Sequence, residues 1–275
     1  MLLVALPNLR LIALAAGRKL SPMEKLHSSD GTEIAFDRLG QGQPIILVSG
    51  ATTDRRVHAP LAELLAAGHA VLNYDRRGRG DSGDTLPYAV EREFEDLGAV
   101  IAAAGGSATV FGSSSGAILA LRGAMAGLPI TRLTLWEPPF LVERWGEYVS
   151  SLRGALAAGR RGDAVAVFMR QVGLPEEQIA GMRRSAMWAE LETIAHTLAY
   201  DAAIMGDRSL PTGLIASVTA PALVISGEQS PPFLRSAAQA AAAALPDGRL
   251  ASLPGQTHDI DPQATAPVMA EFLAG

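Results

Sequence analysis

Three consecutive serines stand between two glycines in the sequence TVFGSSSGA at residues 109–117. The segment Gly112–Gly116 fits the pattern G-x-S-x-G, in which the central serine is a nucleophile presented on a sharp turn. A serine hydroxyl becomes reactive when a neighbouring histidine removes its proton, and its oxygen then attacks a carbonyl carbon. The serine run is therefore a candidate for acyl-transfer chemistry. The competing interpretation is a polar loop with a serine at a helix N-terminus.

The elements on either side favour the first interpretation. Residues 107–112 have the apolar, β-branched character of a buried strand, and residues 116–127 have the composition of a helix. A strand-to-helix turn this tight forces its central residue to a positive φ and needs small residues two positions away on both sides. The pattern predicts Ser114 as the nucleophile. It also predicts the backbone N–H of Ser115 as a donor to the oxyanion of the acyl-transfer intermediate.

Short β-rich segments alternate with longer helical patterns along most of the chain, as in a parallel sheet wrapped by helices. The alternation stops between Pro138 and Thr219, where only helix-like segments occur, and this predicts a cap above the strand ends. The predicted strands are 25–27, 32–38, 44–48, 70–74, 107–112, 130–136, 221–226 and 249–253. The predicted helices are 60–67, 90–105, 116–127, 145–158, 162–172, 175–184, 187–205, 234–244 and 262–273.

Composition narrows the class of protein. The chain of 275 residues is long enough for one large α/β domain with an insertion, and 48% apolar against 19% charged residues is ordinary for a globular enzyme. The formal net charge of −5, with arginines scattered among acids, argues against nucleic acid or membrane as a partner. The chain has no cysteine, which excludes disulfides and thiolate catalysis. No two histidines have metal-ligand spacing, so we expect no metal.

The apolar N-terminal segment, residues 1–22, raises the question of export. It lacks a basic first region, and Pro7, Asn8 and Arg10 interrupt the apolar run before it reaches the roughly 20 residues that span a bilayer. We therefore expect an N-terminal extension of uncertain structure and a cytoplasmic protein.

The order of the strands, the serine turn, the segment YDRRGRGDSG at 74–83 and a histidine near the C-terminus resemble the α/β-hydrolase superfamily. The resemblance begins near residue 24 and runs to the C-terminus. It implies a mostly parallel central sheet wrapped by helices, with a helical cap insertion. The domain organisation expected from it is a core formed by 23–139 and 217–275 and a cap formed by 140–216.

The resemblance also implies roles for one of the five histidines and for a second backbone donor. His258 follows the last predicted strand and precedes the last helix, where the family's catalytic histidine lies. The family's second oxyanion donor follows the strand that is 44–48 here, usually within a His-Gly pair, and this chain has Ser49-Gly50-Ala51 instead. Because the donor is a backbone N–H, Ala51 is expected to serve although the histidine is missing.

The acid that orients the histidine departs from the family pattern. In the loop after strand 221–226, which reads GEQS at 227–230, a serine stands where the family usually places its carboxylate. Glu137, directly after strand 130–136, is the preferred replacement, because some members place their acid there and the order serine–acid–histidine is kept. Glu228 is the second choice. A serine–histidine dyad without an acid is a further alternative.

We expect from this resemblance a hydrolase that cleaves an ester or lactone of a small, fairly apolar molecule through an acyl-enzyme, without a cofactor. The same residues leave open a C–C bond hydrolase, an acyltransferase or a small-ligand binder without turnover. The expected partner is a small-molecule substrate, and the protein is a monomer or a homodimer. The cap's methionines and aromatic residues form a substrate pocket or the cap's own core. The expected pocket residues are Ser49, Gly50, Thr52, Trp145, Met187, Trp188, His196 and Tyr200.

Overall fold

A single eight-stranded sheet organises the computed structural model, which describes residues 23–140 and 145–275. The strands are β1 (Glu24–His27), β2 (Glu33–Leu39), β3 (Gln43–Val48), β4 (His69–Tyr74), β5 (Ala108–Ser113), β6 (Ile130–Trp136), β7 (Ala222–Gly227) and β8 (Gly248–Leu253). Their order in the sheet is β1-β2-β4-β3-β5-β6-β7-β8. The β1–β2 and β2–β4 pairs are antiparallel, and every other pair is parallel.

Helices cover both faces of this sheet. The helices outside the β6–β7 connection are α1 (Ala59–Leu65), α2 (Val90–Ala103), α3 (Ser115–Met125), α10 (Pro232–Ala244) and α11 (Pro262–Ala274). Alternate residues of β3 point to different faces: Ile46 packs in the apolar cluster with α2, α3 and α10, whereas Ile45 and Leu47 pack in the cluster with α1 and α11. The apolar residues 45–48 of β3 are thus buried on both faces, as residues of parallel strands usually are. The predicted fold class is confirmed.

Among the described residues of the connection between β6 and β7 there are six helices, which we call the helical insertion. They are α4 (Trp145–Ala157), α5 (Arg161–Gln171), α6 (Glu176–Met182), α7 (Ala186–Thr193), α8 (Thr197–Met205) and α9 (Thr212–Ile215). The insertion has its own apolar cluster, which includes Leu152, Val165 and Leu198. The division of the chain into a core and a cap domain stays a prediction.

The helix predicted over 187–205 is wrong in one respect, because the structure divides it into α7 and α8. The break is stabilised by two contacts. Thr197 Oγ1 donates to the carbonyl oxygen of Ile194 at 2.8 Å, and His196 Nε2 lies 3.2 Å from Asp84 Oδ2, on the loop after β4. A side chain that bonds the backbone locally and a tertiary contact between His196 and a carboxylate thus override the helical pattern.

No helix in the described part of the chain is both long and apolar enough to cross a membrane. The predicted N-terminal extension, residues 1–22, lies outside the described residues.

Candidate active site

Ser114 occupies the turn between β5 and α3, with φ 51° and ψ −120°. The glycines on both sides are needed because the backbone is crowded. A Cβ at Gly112 would lie 2.4 Å from the carbonyl oxygen of Gly116, and a Cβ at Gly116 would lie 2.4 Å from that of Val48. The N–H of Ser114 donates to the carbonyl oxygen of Trp136 at 2.9 Å, which fastens the turn to the end of β6. The chain thus holds Ser114 in a positive-φ conformation that is costly for any residue except glycine.

The three consecutive hydroxyls have different surroundings. Ser113 Oγ lies 3.0 Å from His58 Nε2 in a buried contact, and Ser115 Oγ donates to Asp201 Oδ1 at 2.8 Å. Ser114 Oγ makes no hydrogen bond to any other residue that the structure describes, and its side chain is partly exposed. The outer two serines therefore act in packing, whereas the central hydroxyl is left available for a reaction.

The carboxylate beside His258 is that of Glu137. Its Oε2 lies 2.6 Å from His258 Nδ1, and its Oε1 accepts from the backbone N–H of Gly227 at 2.8 Å. Glu137 is fully buried. Because a carboxylate only accepts hydrogen bonds, His258 donates from Nδ1, and in the neutral ring Nε2 is left free to take a proton. This geometry supports the prediction that Glu137 orients the histidine.

Neighbouring strand ends bring these groups to one edge of the sheet. Ser114 follows β5, Glu137 follows β6, Gly227 ends β7 and His258 follows β8. Trp136 is hydrogen-bonded to the backbone of both Ser114 and His258. Its carbonyl oxygen accepts from the N–H of Ser114, and its indole N–H donates to the carbonyl oxygen of His258 at 2.9 Å. Among the described residues, no hydrogen bond joins Ser114 Oγ to His258. The structure thus makes the acid–histidine contact, and the serine–histidine contact is not made.

The loop after β3 lies directly beside the serine turn. A Cβ built on Gly50 would lie 3.2 Å from Ser114 Cβ, so a larger residue there would crowd the Ser114 side chain. Thr52 has a φ of 60°, and its Oγ1 donates to the carbonyl oxygen of Ala51 at 2.6 Å, while Thr53 Oγ1 donates to that of Gly50 at 3.0 Å. These threonine hydroxyls hold the loop on which Ala51 was predicted to donate its N–H.

The other predicted residues have contacts that indicate other roles. Glu228, the second choice of acid, is exposed, and the position on His258 Nδ1 is occupied by Glu137. The indole N–H of Trp145 donates to the carbonyl oxygen of Gly206, and that of Trp188 donates to Glu192. Both tryptophans belong to the apolar cluster of the helical insertion, and Met187 packs against that cluster. These contacts favour the alternative in which they form the insertion's own core.

His196 and Tyr200 converge on one carboxylate of the loop after β4. Tyr200 OH donates to Asp84 Oδ2 at 2.8 Å, and His196 Nε2 lies 3.2 Å from the same oxygen. The two rings also meet edge to face at 5.7 Å between centroids. The pair therefore joins the helical insertion to the β4 loop, and its predicted contact with a substrate stays a prediction.

Sequence reasoning missed three residues around this site. His58, Arg79 and Asp201 are all buried beside the serine turn or the loop after β3. The contacts that place them are long-range, since the paired residues lie between 29 and 125 positions apart in the chain. Arg76, Arg77 and Arg79 of the segment YDRRGRGDSG are deeply buried in ion pairs, which indicates a structural role.

His58 makes folding stability sensitive to acid. Burial lowers the pKa of His58 to about 4, so the unfolded chain binds a proton below about pH 6.5 that the folded chain refuses until the pH approaches 4. Stability is therefore lost as the pH falls through this window, by about 2 kcal/mol between pH 7 and pH 5. We predict that His58→Gln lowers this pH-dependent loss in urea titrations by a similar amount.

His27→Gln is the matched control, because His27 is exposed. Its loss of stability between the two pH values should equal that of the unsubstituted protein. A His58→Gln protein that loses as much stability as the His27→Gln control would contradict the assignment of this acid sensitivity to His58.

Comparison with known proteins assigns this chain to a family. The profile of the alpha/beta hydrolase family matches residues 45–271. The chain belongs to that family. A solved alpha/beta hydrolase from Sphaerobacter thermophilus DSM 20745 is 52% identical, with a TM-score of 0.84, and the match covers 91% of this chain and 100% of that one.

Other solved structures share the fold of this alpha/beta hydrolase at lower identity. An esterase from Thermogutta terrifontis is 22% identical with a TM-score of 0.71, over 92% of this chain and 98% of that one. An enol-lactonase from Burkholderia xenovorans LB400 is 23% identical with a TM-score of 0.69, over 92% of this chain and 100% of that one. A curated protein of Azorhizobium caulinodans named for carbamate hydrolysis, RutD, is 34% identical over 106 residues, which are 38% of this chain and only 40% of that protein.

No group of three or more histidine, aspartate or glutamate side chains in the described residues is arranged to hold a metal ion.

Proposed function

We propose that this protein is a serine hydrolase that cleaves an ester or lactone of a small, fairly apolar molecule through an acyl-enzyme on Ser114. The observation that carries the proposal is the 2.6 Å contact between His258 Nδ1 and the buried Glu137 carboxylate. This contact lies at the same sheet edge as the positive-φ turn of Ser114. Acyl transfer requires an oriented histidine that can reach a serine hydroxyl, and the partly exposed Ser114 lies at the same sheet edge without a hydrogen-bond partner among the described residues.

The proposed reaction begins when a substrate carbonyl enters between Ser114 and the loop after β3. Ser114 Oγ attacks the carbonyl carbon as its proton passes to His258 Nε2. The Glu137 carboxylate stabilises the imidazolium through Nδ1. His258 then returns the proton to the departing alcohol, which leaves an acyl group on Ser114. A water molecule, deprotonated by the same nitrogen, attacks the acyl-enzyme and releases the acid.

Two backbone donors stabilise the negative oxygen in this scheme. The N–H of Ser115 opens α3, where the helix dipole favours negative charge, and the N–H of Ala51 approaches from the loop after β3. Neither donor needs the histidine that the family usually has before Gly50. The hole is built from main chain that the crowded glycines hold in place.

The proposed preference for an apolar substrate rests on the apolar side chains beside the oxyanion hole. Ala51 packs against the apolar cluster of the helical insertion, which includes Trp145 and Tyr148. A substrate group beside Ala51 therefore meets apolar side chains, which exclude water and strengthen the electrostatic interactions there. The esterase and enol-lactonase names of structures that share the fold agree with this choice of substrate class.

A fluorophosphonate probe tests the proposal without knowledge of the natural substrate. We predict one covalent adduct, on Ser114, together with hydrolysis of p-nitrophenyl butyrate and of simple lactones. Protein unfolded in urea is the control and should remain unlabelled, because unfolding separates the serine from its histidine. Absence of an adduct in the folded protein would favour the alternative in which the protein binds a small ligand without turnover. Cleavage of a β-diketone without ester turnover would favour a hydrolase of C–C bonds.

A further inference from the structure

A cluster of buried charges lies beside the backbone that is proposed to hold the oxyanion. Arg76 and Arg79 come from the loop after β4, Asp201 lies on α8, and none is more than 1% exposed. Arg79 Nη2 donates to Asp201 Oδ2 at 2.8 Å, and Arg76 Nη1 donates to Asp201 Oδ1 at 2.9 Å. Arg76 also donates twice to Glu93. Buried charges are costly to desolvate, so a cluster of this kind invites the question of what it holds in place.

Two of its contacts reach the peptide groups of the oxyanion hole. Arg79 Nη1 donates to the carbonyl oxygen of Gly50, and this carbonyl belongs to the same planar peptide group as the N–H of Ala51. On the other side, Asp201 Oδ1 accepts from Ser115 Oγ at 2.8 Å, at the residue whose N–H is the second donor. One buried carboxylate is thereby connected to both donors.

A guanidinium on the carbonyl side of a peptide group has two effects on its N–H. It fixes the peptide plane, so the N–H already points in its final direction when charge develops on the substrate. It also polarises the group, and hydrogen bonds in such a chain strengthen one another. Thr53 Oγ1 donates to the same Gly50 oxygen, so both lone pairs are occupied and the peptide plane is fixed from two sides.

Asp201 keeps its charge in this environment. Burial by itself raises the pKa of Asp201, but Arg79 and Arg76 beside it bring the pKa below the ordinary value overall. The carboxylate thus holds Arg79 through one oxygen and Ser115 through the other. Because Asp201 comes from the helical insertion, the geometry of the oxyanion hole depends on a residue outside the strands that carry the nucleophile and the base.

We propose that Arg79 and Asp201 are positioning residues, which set the direction and donor strength of the Ala51 and Ser115 N–H groups and make α8 part of the support of the oxyanion hole. This inference rests on the proposed function. It assigns no contact with the substrate to either side chain. Their effect is therefore confined to the charged transition state and leaves the binding of neutral substrate unchanged.

Arg79→Gln tests the inference, with Arg77→Gln as the matched control. Arg77 is equally buried and pairs with Asp96 and Asp30, but it makes no hydrogen bond to the loop after β3. Loss of a whole oxyanion donor costs about 10²–10³ in kcat, so we predict a fall of about 10- to 100-fold for Arg79→Gln, with KM changed less than about threefold. Arg77→Gln should lower Tm by a comparable amount and leave kcat unchanged.

Butaneboronic acid and butyramide separate positioning from general damage. The boronate forms a tetrahedral adduct with the serine and places a negative oxygen in the hole, whereas butyramide is a neutral carbonyl compound of the same chain length. Arg79→Gln should weaken boronate inhibition by the same factor as kcat/KM, with the butyramide inhibition constant unchanged. Equal kcat in the Arg79→Gln and Arg77→Gln proteins, or equal weakening of boronate and butyramide, would overturn the inference.

Asp201→Asn and Arg79→Lys keep the test decisive if Arg79→Gln does not fold. Asp201→Asn should also weaken inhibition by the boronate selectively. The boronate inhibition constant of Arg79→Lys should lie between those of the unsubstituted protein and Asp201→Asn, because lysine keeps the charge but cannot make two parallel hydrogen bonds. If both variants bind boronate as tightly as the unsubstituted protein, the inference is wrong while the proposed function stands. If the unsubstituted protein shows no turnover that depends on Ser114, both are wrong.

Discussion

Ser114→Ala is expected to lower kcat for p-nitrophenyl butyrate by about five to six orders of magnitude, to a rate near that of the backbone donors alone. The reason is that the covalent step has no substitute: no other hydroxyl is presented on the turn. Its neighbours are held by His58 and Asp201. The measurement is kcat and KM under saturating substrate, with trace contaminating esterase excluded by the fluorophosphonate probe.

Ser113→Ala is the internal control for this result. It removes the adjacent hydroxyl from the same three-serine run and breaks a buried contact with His58, so it tests whether disturbance of the turn is enough to stop turnover. We expect Ser113→Ala to remain within about tenfold of the unsubstituted kcat, because the lost hydrogen bond is one of ordinary strength. Equal activities for the two variants would refute Ser114 as the nucleophile.

Glu137→Gln is expected to lower kcat by about 10⁴ at neutral pH while leaving the fold intact. The two oxygens of Glu137 have different partners, and one of them is a fixed donor, the backbone N–H of Gly227. A glutamine must place its carbonyl oxygen there, which turns its NH₂ group toward His258 Nδ1. His258 then accepts at Nδ1 and carries its proton on Nε2, where it cannot remove the serine's proton.

Glu228→Gln provides the comparison, since Glu228 was the other sequence-based choice and its side chain is exposed. Its kcat should be unchanged. Both variants are compared by kcat, by Tm and by the rate of fluorophosphonate labelling, which depends on the same proton transfer. If Glu137→Gln keeps a kcat within tenfold of that of Glu228→Gln, then Glu137 does not orient His258, and turnover depends on Ser114 and His258 without an acid.

Local backbone geometry made the turn at Ser114 and the sheet predictable from the sequence. The serine turn needs glycines at fixed spacing because neighbouring backbone segments approach to within contact distance at Gly112 and Gly116. Five consecutive residues, 112–116, therefore suffice to predict the turn. Buried segments of parallel strands likewise appear as apolar runs, as residues 45–48 of β3 do. Glu137 was reached because strand ends in a parallel sheet share one edge, so an acid after β6 could meet a histidine after β8.

Tertiary contacts account for what the sequence did not predict. Asp201 stands in a helix with no motif around it, and its role depends on Arg79, 122 residues earlier in the chain. The break between α7 and α8 depends in part on Asp84. Such groups find their partners only when the helical insertion docks, and neither periodicity nor spacing records that event. The buried contact between His58 and Ser113 is also tertiary, although neither residue belongs to the helical insertion.

The placement of Asp201 on α8 has a practical consequence for protein engineers. Exchanging the helices between β6 and β7 for those of another hydrolase is an obvious way to change substrate scope, on the assumption that this segment only shapes the entrance. In this protein the graft would leave Arg76 and Arg79 without Asp201, the carboxylate with which both of them pair. A chimera should therefore carry an aspartate at the equivalent place, or recruit new partners for both cations.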